Sequence, residues 1–96
     1  MIIVIMGIAW YKEEDYERLL EIFEDSHKLP PTFDKWLQSA EKGFSNFRAR
    51  GYRVIKVYID PDTFPVWCRS TGHKIDAKAR IDFANMTAAR HARDKN

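Results

Sequence analysis

Residues 1–10 read MIIVIMGIAW, and the charged run KEED follows at residues 12–15. Successive side chains of a strand point to opposite faces, and here apolar residues occupy both. The even-numbered residues from Ile2 to Trp10 are apolar and point to one face of the strand. Ile3, Ile5 and Ala9 point to the other face. A strand that is apolar on both faces needs cover on both. We expect a chain this short to struggle to supply two covering layers, so the pattern predicts self-association.

The composition is that of one ordinary folded domain, spanning residues 1–96. The chain is 45% hydrophobic and 31% charged, with a formal net charge of +2. These values exclude a disordered chain, and the small net charge does not by itself indicate nucleic acid. Charge is uneven along the chain: residues 1–50 hold nine acids and seven bases, and residues 51–96 hold five acids and nine bases. The second half therefore carries +4 and the first half −2.

The opening apolar run resembles neither a secretory signal nor a membrane span. No Lys or Arg precedes it, acids follow it at once, and it falls far short of the roughly 20 residues that cross a bilayer. We interpret it as a strand. The chain has one cysteine, Cys68, which fits a reducing compartment, so a cytoplasmic location without membrane attachment is predicted.

Hydrophobic spacing predicts the element order β-α-α-β-α-α, an α+β fold with a two-stranded sheet. Strands are expected at residues 2–10 and 52–59. Helices are expected at 12–27, from Thr32 to just before Gly51, from Asp60 to Gly72, and at 77–93. In the last helix we place four apolar residues on the inward face: Ala77, Ile81, Ala84 and Ala88.

The two strands are predicted to be antiparallel, on the assumption that each element reverses the chain direction. If the first two helices instead form one crossover, the strands are parallel. Two strands make a thin sheet, and a two-fold homodimer that joins strands would extend it to four. The interface predicted for that dimer is the face of the strands that the helices are not expected to cover. It carries Ile2, Val4, Met6, Tyr52, Val54 and Tyr58.

Several motifs with fixed spacing are distributed along the chain: W10-Y11, L29-P30-x-T32-F33-x-x-W36-L37-x-x-A40-E41, G51-x-x-V54, I59-D60-P61-x-x-F64-x-x-W67-C68 and D76-x-x-A79-R80-x-x-F83-A84. Together they resemble a family of small uncharacterised bacterial proteins, a domain of unknown function. The resemblance spans about residues 10–84. It implies a stand-alone bacterial or phage protein, and it implies no activity, ligand or catalytic residue.

No predicted site for catalysis, cofactor or metal emerges from the motifs. Cys68, His73 and Asp76 form C-x4-H-x2-D, but structural zinc prefers four ligands with paired spacing, and Cys68 suits a core position. Asp60 and Asp62 flank a proline and are interpreted as helix-capping residues rather than a carboxylate pair. The sequence contains no glycine-rich phosphate loop.

The last two helices offer one named binding mode. Two helices joined by a short turn that contains glycine resemble a helix-turn-helix, and the second helix would then present polar side chains to phosphates or base edges. The residues predicted for that role are Lys78, Arg80, Asn85, Arg90 and Arg93. Asp76 and Asp82 on the same helix argue against it.

The leading hypothesis is a non-enzymatic binding protein that acts as a homodimer. Nucleic-acid binding through the basic C-terminal helix pair is the alternative. A third class, a small enzyme, requires a pocket with converging polar groups, and the residues that would have to share it are Trp10, Tyr58, Asp76 and Arg80.

Overall fold

The computed structural model describes residues 4–94, with side chains to residue 93. Within this part of the chain the fold is α+β with a two-stranded sheet, as predicted. The strands are β1 (Ile5–Trp10) and β2 (Arg53–Tyr58). The helices are α1 (Tyr16–Ile22), α2 (Phe33–Ala49), α3 (Phe64–Thr71) and α4 (Ala77–Asp94). Short 3-10 turns at Glu13–Asp15 and Ser26–Lys28 flank α1.

The strands are parallel, so the antiparallel prediction is wrong. Ile5 pairs with Arg53 and Trp10 with Tyr58 in one continuous parallel register. The prediction assumed that every helix reverses the chain. Instead α1 has only 7 residues, and α1 and α2 together form one crossover that returns the chain to the end where β1 began. A parallel pair requires such a long connection.

Helix α2 begins and ends where the sequence indicates. The Thr32 side chain accepts a hydrogen bond from the Lys35 N–H at 3.3 Å, which satisfies one of the N–H groups left without a partner in the first turn. Gly51 follows the helix with φ 95°, a conformation that favours glycine. The cap and the glycine fix both ends of the helix that covers one face of the sheet.

The two faces of β1 are covered by α2 and α4. On the even-numbered face Trp10 packs edge-on against Trp36 of α2, with ring centroids 5.2 Å apart, and its side chain is 4% exposed. On the odd-numbered face α4 lies directly on Gly7, which is buried. The premise that this chain cannot cover both faces of its first strand therefore does not hold.

Gly7 sets the distance between α4 and β1. A Cβ built at this residue would lie 2.1 Å from the Ala84 carbonyl oxygen and 3.0 Å from the Ala88 Cβ. Real Cβ atoms essentially never approach another heavy atom more closely than 3.0 Å. The helix backbone therefore rests on the strand backbone, and only glycine leaves room for it.

The inward face of α4 differs from the predicted one. Ala84 and Ala88 are buried as expected, but Ile81 is 58% exposed and Ala77 is also exposed. Ala79 and Arg80 take the inward positions. An alanine-rich helix has only a weak apolar stripe, so the spacing of apolar residues does not locate its inward face. The inward arginine is tolerated because a carboxylate from another element neutralises its charge.

Candidate functional site

A concave surface runs along the outer edge of β1, between α2 and α4. Its volume is about 440 Å³. We call it the β1 groove and define it by its floor, residues 6–9 of β1, and by two helical walls. The α2 wall carries Ala40, Gly43, Phe44 and Phe47, and the α4 wall carries Ala77, Arg80, Ile81 and Asn85. These spacings of three, four and seven residues place one stripe of each helix along the groove.

The floor of the groove is an unpaired strand edge. The Val4 and Trp10 carbonyls accept hydrogen bonds from the N–H groups of Arg53 and Ile59, each at 3.0 Å. Even-numbered residues of β1 therefore direct their backbone groups toward β2, and Ile5, Gly7 and Ala9 direct theirs to the opposite edge. Among the described residues the sheet has two strands, so no third strand occupies this edge.

One side chain already binds that edge. The Gly7 N–H donates to Asn85 Oδ1 of α4 at 3.0 Å. The side-chain amide of asparagine resembles a peptide group, so Asn85 takes the place that the carbonyl of a neighbouring strand would take. The contact shows that the groove geometry suits a hydrogen bond to β1, and it involves a side chain that can rotate away.

Arg80 lies at the groove but directs its charge into the fold. Its two terminal nitrogens donate to the two carboxylate oxygens of Asp25, at 2.8 and 2.9 Å, and its guanidinium carbon lies 4.4 Å from the Phe23 ring centroid. The side chains of Arg80 and Asp25 are 8% and 15% exposed. Hydrogen bonding to Arg80 holds the pKa of Asp25 below its ordinary value.

Tyr11 lies beside this ion pair, at the end of β1. Its ring packs 4.5 Å from that of Trp36 and 5.6 Å from that of Phe23. Burial raises the pKa of its phenol to about 12, partly opposed by the nearby Arg80 charge. The ion pair neutralises itself and the phenol is uncharged at neutral pH, so neither offers a charge to a ligand.

The residues predicted for a dimer interface do not form one uncovered face. Met6 lies in the β1 groove, and Tyr52 and Val54 are partly buried. Val4 and Tyr58 are each 52% exposed. Ile2 lies outside the described residues. A single chain does not test the dimer, but the uncovered strand face from which it was inferred is occupied by α2.

The residues predicted for nucleic-acid binding on α4 are divided between interior and surface. Arg80 is buried on Asp25, and Asn85 holds the edge of β1, so these two are engaged within the fold. Lys78 pairs with Asp82 at 2.6 Å on the surface. Arg90 and Arg93 are exposed near the end of the helix. The helix therefore does not present the five as one surface.

The C-x4-H-x2-D residues do not converge. Cys68 is buried in the core, and burial raises the pKa of its thiol. Asp76 caps α4, accepting from the Ala79 N–H at 3.1 Å. His73 instead lies between Thr71 Oγ1 (2.7 Å from Nδ1) and Asp82 Oδ2 (3.0 Å from Nε2). Within the described part of the chain, no group of three or more His, Cys, Asp or Glu side chains is placed to hold a metal ion.

Asp60 caps the turn that precedes α3 and not the helix itself, which begins at Phe64 with Thr63 at its N-cap position, so the predicted helix start is wrong. Its Oδ1 accepts from the N–H groups of Asp62 and Thr63, at 2.7 and 3.1 Å, and these bonds lower the pKa of its carboxyl. The four residues that a small enzyme would have to bring together do not share the β1 groove: of Trp10, Tyr58, Asp76 and Arg80, only Arg80 lines it.

Sequence reasoning missed the β1 groove because its floor is backbone. Two signals point to it: Ile81 repeats with Ala77 and Asn85 at intervals of four residues, and Gly43 interrupts the middle of α2. A Cβ at Gly43 would meet nothing within 4 Å, which shows that this glycine borders open space.

Comparison of the chain with protein-family models, with curated proteins and with solved structures found no match. Among the helices described here, none has the length and apolar character needed to cross a membrane.

Proposed function

We propose that this chain is a binding protein that takes an extended, apolar segment of a partner polypeptide into the β1 groove. The single observation that carries the proposal is the unpaired edge of β1 lying at the floor of an apolar groove. Strand addition uses this arrangement: backbone hydrogen bonds supply affinity, and the walls select alternate side chains.

The composition of the groove supports an extended apolar occupant. The floor offers backbone groups of Gly7 and Ala9, and the same strand edge continues to Ile5 beside the groove. A helix cannot satisfy these donors and acceptors because its own backbone groups are paired internally. The walls are mainly alanine, phenylalanine and isoleucine. The two polar side chains, Arg80 and Asn85, already have partners. A strand with alternating apolar residues matches both the floor and the walls.

A second copy of this chain fits the groove less well than a separate segment. Joining two β1 edges across a two-fold axis brings the strands to about 4.8 Å, and packed helices need 8–10 Å between their axes. Helix α4 lies directly on β1 at Gly7, so the two copies of α4 would collide. A segment without its own covering helix needs only to displace the Asn85 side chain.

Homodimerisation through the predicted residues stays a prediction with its own test. Tyr52, Val54 and Tyr58 belong to the β2 side, where a two-fold pairing of β2 edges would place Lys56 near its own copy. Like charges opposite each other destabilise a strand pair. Sedimentation velocity at micromolar concentration tests this prediction, because a monomeric protein at that concentration would contradict the homodimer.

Selection from a phage-displayed library of random octapeptides tests the groove. We expect enrichment of sequences that alternate apolar and polar residues. Ile81→Asp places a charge on the groove wall. We expect it to weaken the affinity for the selected peptides by about tenfold or more, because the peptide can no longer bury an isoleucine that is 58% exposed in the free protein.

Val66→Asp is the matched control, since Val66 is 53% exposed and lies on α3, outside the groove. It should leave binding unchanged. Absence of enrichment, or selected peptides that bind Ile81→Asp as tightly as the wild type, contradicts the proposal.

A further inference from the structure

Positive charges and aromatic rings alternate along the side of the molecule where α2 meets β2. Lys56 Nζ lies 4.3 Å from the Trp10 ring centroid and 5.0 Å from that of Phe44. The guanidinium carbon of Arg48 lies 5.8 Å from the same Phe44 centroid. Two cations therefore lie against one phenylalanine, one from the strand and one from the helix.

The alternation continues through the turn into β2. Arg50 lies 6.0 Å from the Phe47 centroid and 5.9 Å from that of Tyr52, and these two rings pack edge-on at 5.7 Å. We call Arg48, Arg50 and Lys56 the cationic stripe. All three are exposed. Of the rings beside them, Trp10 is buried and the others are partly buried.

Among the described residues the cationic stripe has no acidic partner. None of the ion pairs there involves its three members, whereas Arg18, Lys78 and Arg80 each pair with an aspartate. The end of α2 favours nearby cations through the helix dipole, which accounts for Arg48 and Arg50. Lys56 belongs to a strand and has no such reason. Three unneutralised charges are therefore gathered on a chain whose net charge is +2.

We propose that the cationic stripe binds single-stranded nucleic acid. Exposed cations attract successive phosphates, and aromatic rings between them stack with unpaired bases, which is how proteins hold single strands without reading sequence. The aromatic rings distinguish this surface from a purely electrostatic one. The proposal moves the basic surface from α4, where two of the predicted residues are engaged in the fold, to α2 and β2.

Fluorescence anisotropy with a labelled oligothymidylate of about 12 nucleotides tests the proposal. Each neutralised phosphate contributes about −0.7 to the slope of log K against log salt on a single strand. Three contacts predict a slope of about −2, so a rise from 50 to 200 mM salt should weaken binding about 20-fold. Binding that is absent at 50 mM salt overturns the assignment.

The variant R48Q/R50Q/K56Q should lower the steepness of that slope by about 2. Its control is K28Q/R69Q/K74Q, which removes the same charge from exposed residues elsewhere in the fold and should change affinity much less. Lys28 and Lys74 lie toward the opposite end of the sheet, where the Glu24 N–H donates to the Ile75 carbonyl. Equal loss in both variants would show that net charge, not the stripe, drives binding.

Tyr52→Leu separates stacking from charge. This substitution should weaken the affinity for the oligothymidylate by roughly 5- to 100-fold and leave the affinity for heparin unchanged. Circular dichroism checks that the variant is folded. Equal effects on both polyanions, or tighter binding of duplex than of single strand, overturn the single-strand assignment. Phe44 and Phe47 also line the α2 wall of the β1 groove, whereas Ile81 lies on its α4 wall. Ile81→Asp should therefore weaken peptide binding without altering nucleic-acid binding, so failure of this proposal is distinguishable from failure of the β1 groove.

Discussion

Replacing Gly7 with alanine tests the contact that positions α4 and thereby forms one wall of the β1 groove. The new Cβ would lie 2.1 Å from the Ala84 carbonyl oxygen, about 0.9 Å inside the closest approach that real Cβ atoms make. The neighbour is helix backbone, which cannot rotate away as a side chain does, so α4 must move off the strand.

The expected loss of stability combines three effects. Overpacking a tight contact costs about 1–3 kcal/mol, and weakening the hydrogen bond between Gly7 and Asn85 costs about 1 kcal/mol. Alanine in a strand regains roughly 0.5–1 kcal/mol relative to glycine. We therefore expect Gly7→Ala to lower the free energy of unfolding by about 1–3.5 kcal/mol, measured by urea denaturation.

Gly43→Ala is the matched control. A Cβ at this position meets nothing within 4 Å, and the residue lies inside α2, so alanine should raise the free energy of unfolding by about 1 kcal/mol. The two substitutions make the same chemical change with opposite expected signs. A Gly7→Ala protein as stable as the wild type would refute the close packing of α4 on β1.

Three further predictions concern the cap, the buried ion pair and the buried phenol. Thr32→Ala should destabilise the fold by about 1 kcal/mol by removing the α2 cap, whereas Thr63→Ala, whose side chain makes no cap bond, should have little effect in the same urea assay. The pKa of Asp25 is lowered in the folded state, so its contribution to stability is present above the unfolded value near 4 and is lost as pH falls below it. Arg80→Met should therefore destabilise the protein at pH 7 and flatten its acid unfolding curve, and an unchanged curve would contradict the role of the pair. The pKa of Tyr11 is raised to about 12, so folding stability should fall as pH rises above about 10, and Tyr11→Phe should reduce that loss in alkaline denaturation.

The elements that the sequence predicts well are those with local signals. Thr32, Gly51 and Asp76 mark helix ends by capping chemistry that needs no knowledge of the rest of the fold, and all three act at those ends. The apolar character of β1 on both faces correctly indicates two covering layers. What it could not show is that α2 and α4 of the same chain supply them.

The features that the sequence did not reveal depend on non-local contacts. Strand direction depends on whether α1 and α2 act as one crossover, which no local pattern records. Arg80 is buried because Asp25, 55 residues away, neutralises it. The β1 groove and the cationic stripe each combine residues from separate elements, and the groove floor is backbone, which carries no sequence signature.

Amide hydrogen exchange of β1, with and without a selected octapeptide, tests the central claim that its outer edge is an open binding site. The account predicts rapid exchange at Ile5 and Ala9 in the free protein and protection of both when peptide is bound, with Ile8 and Trp10 slow throughout because they pair with β2. Slow exchange at Ile5 and Ala9 without peptide, or protection by the peptide elsewhere in the chain alone, would contradict it.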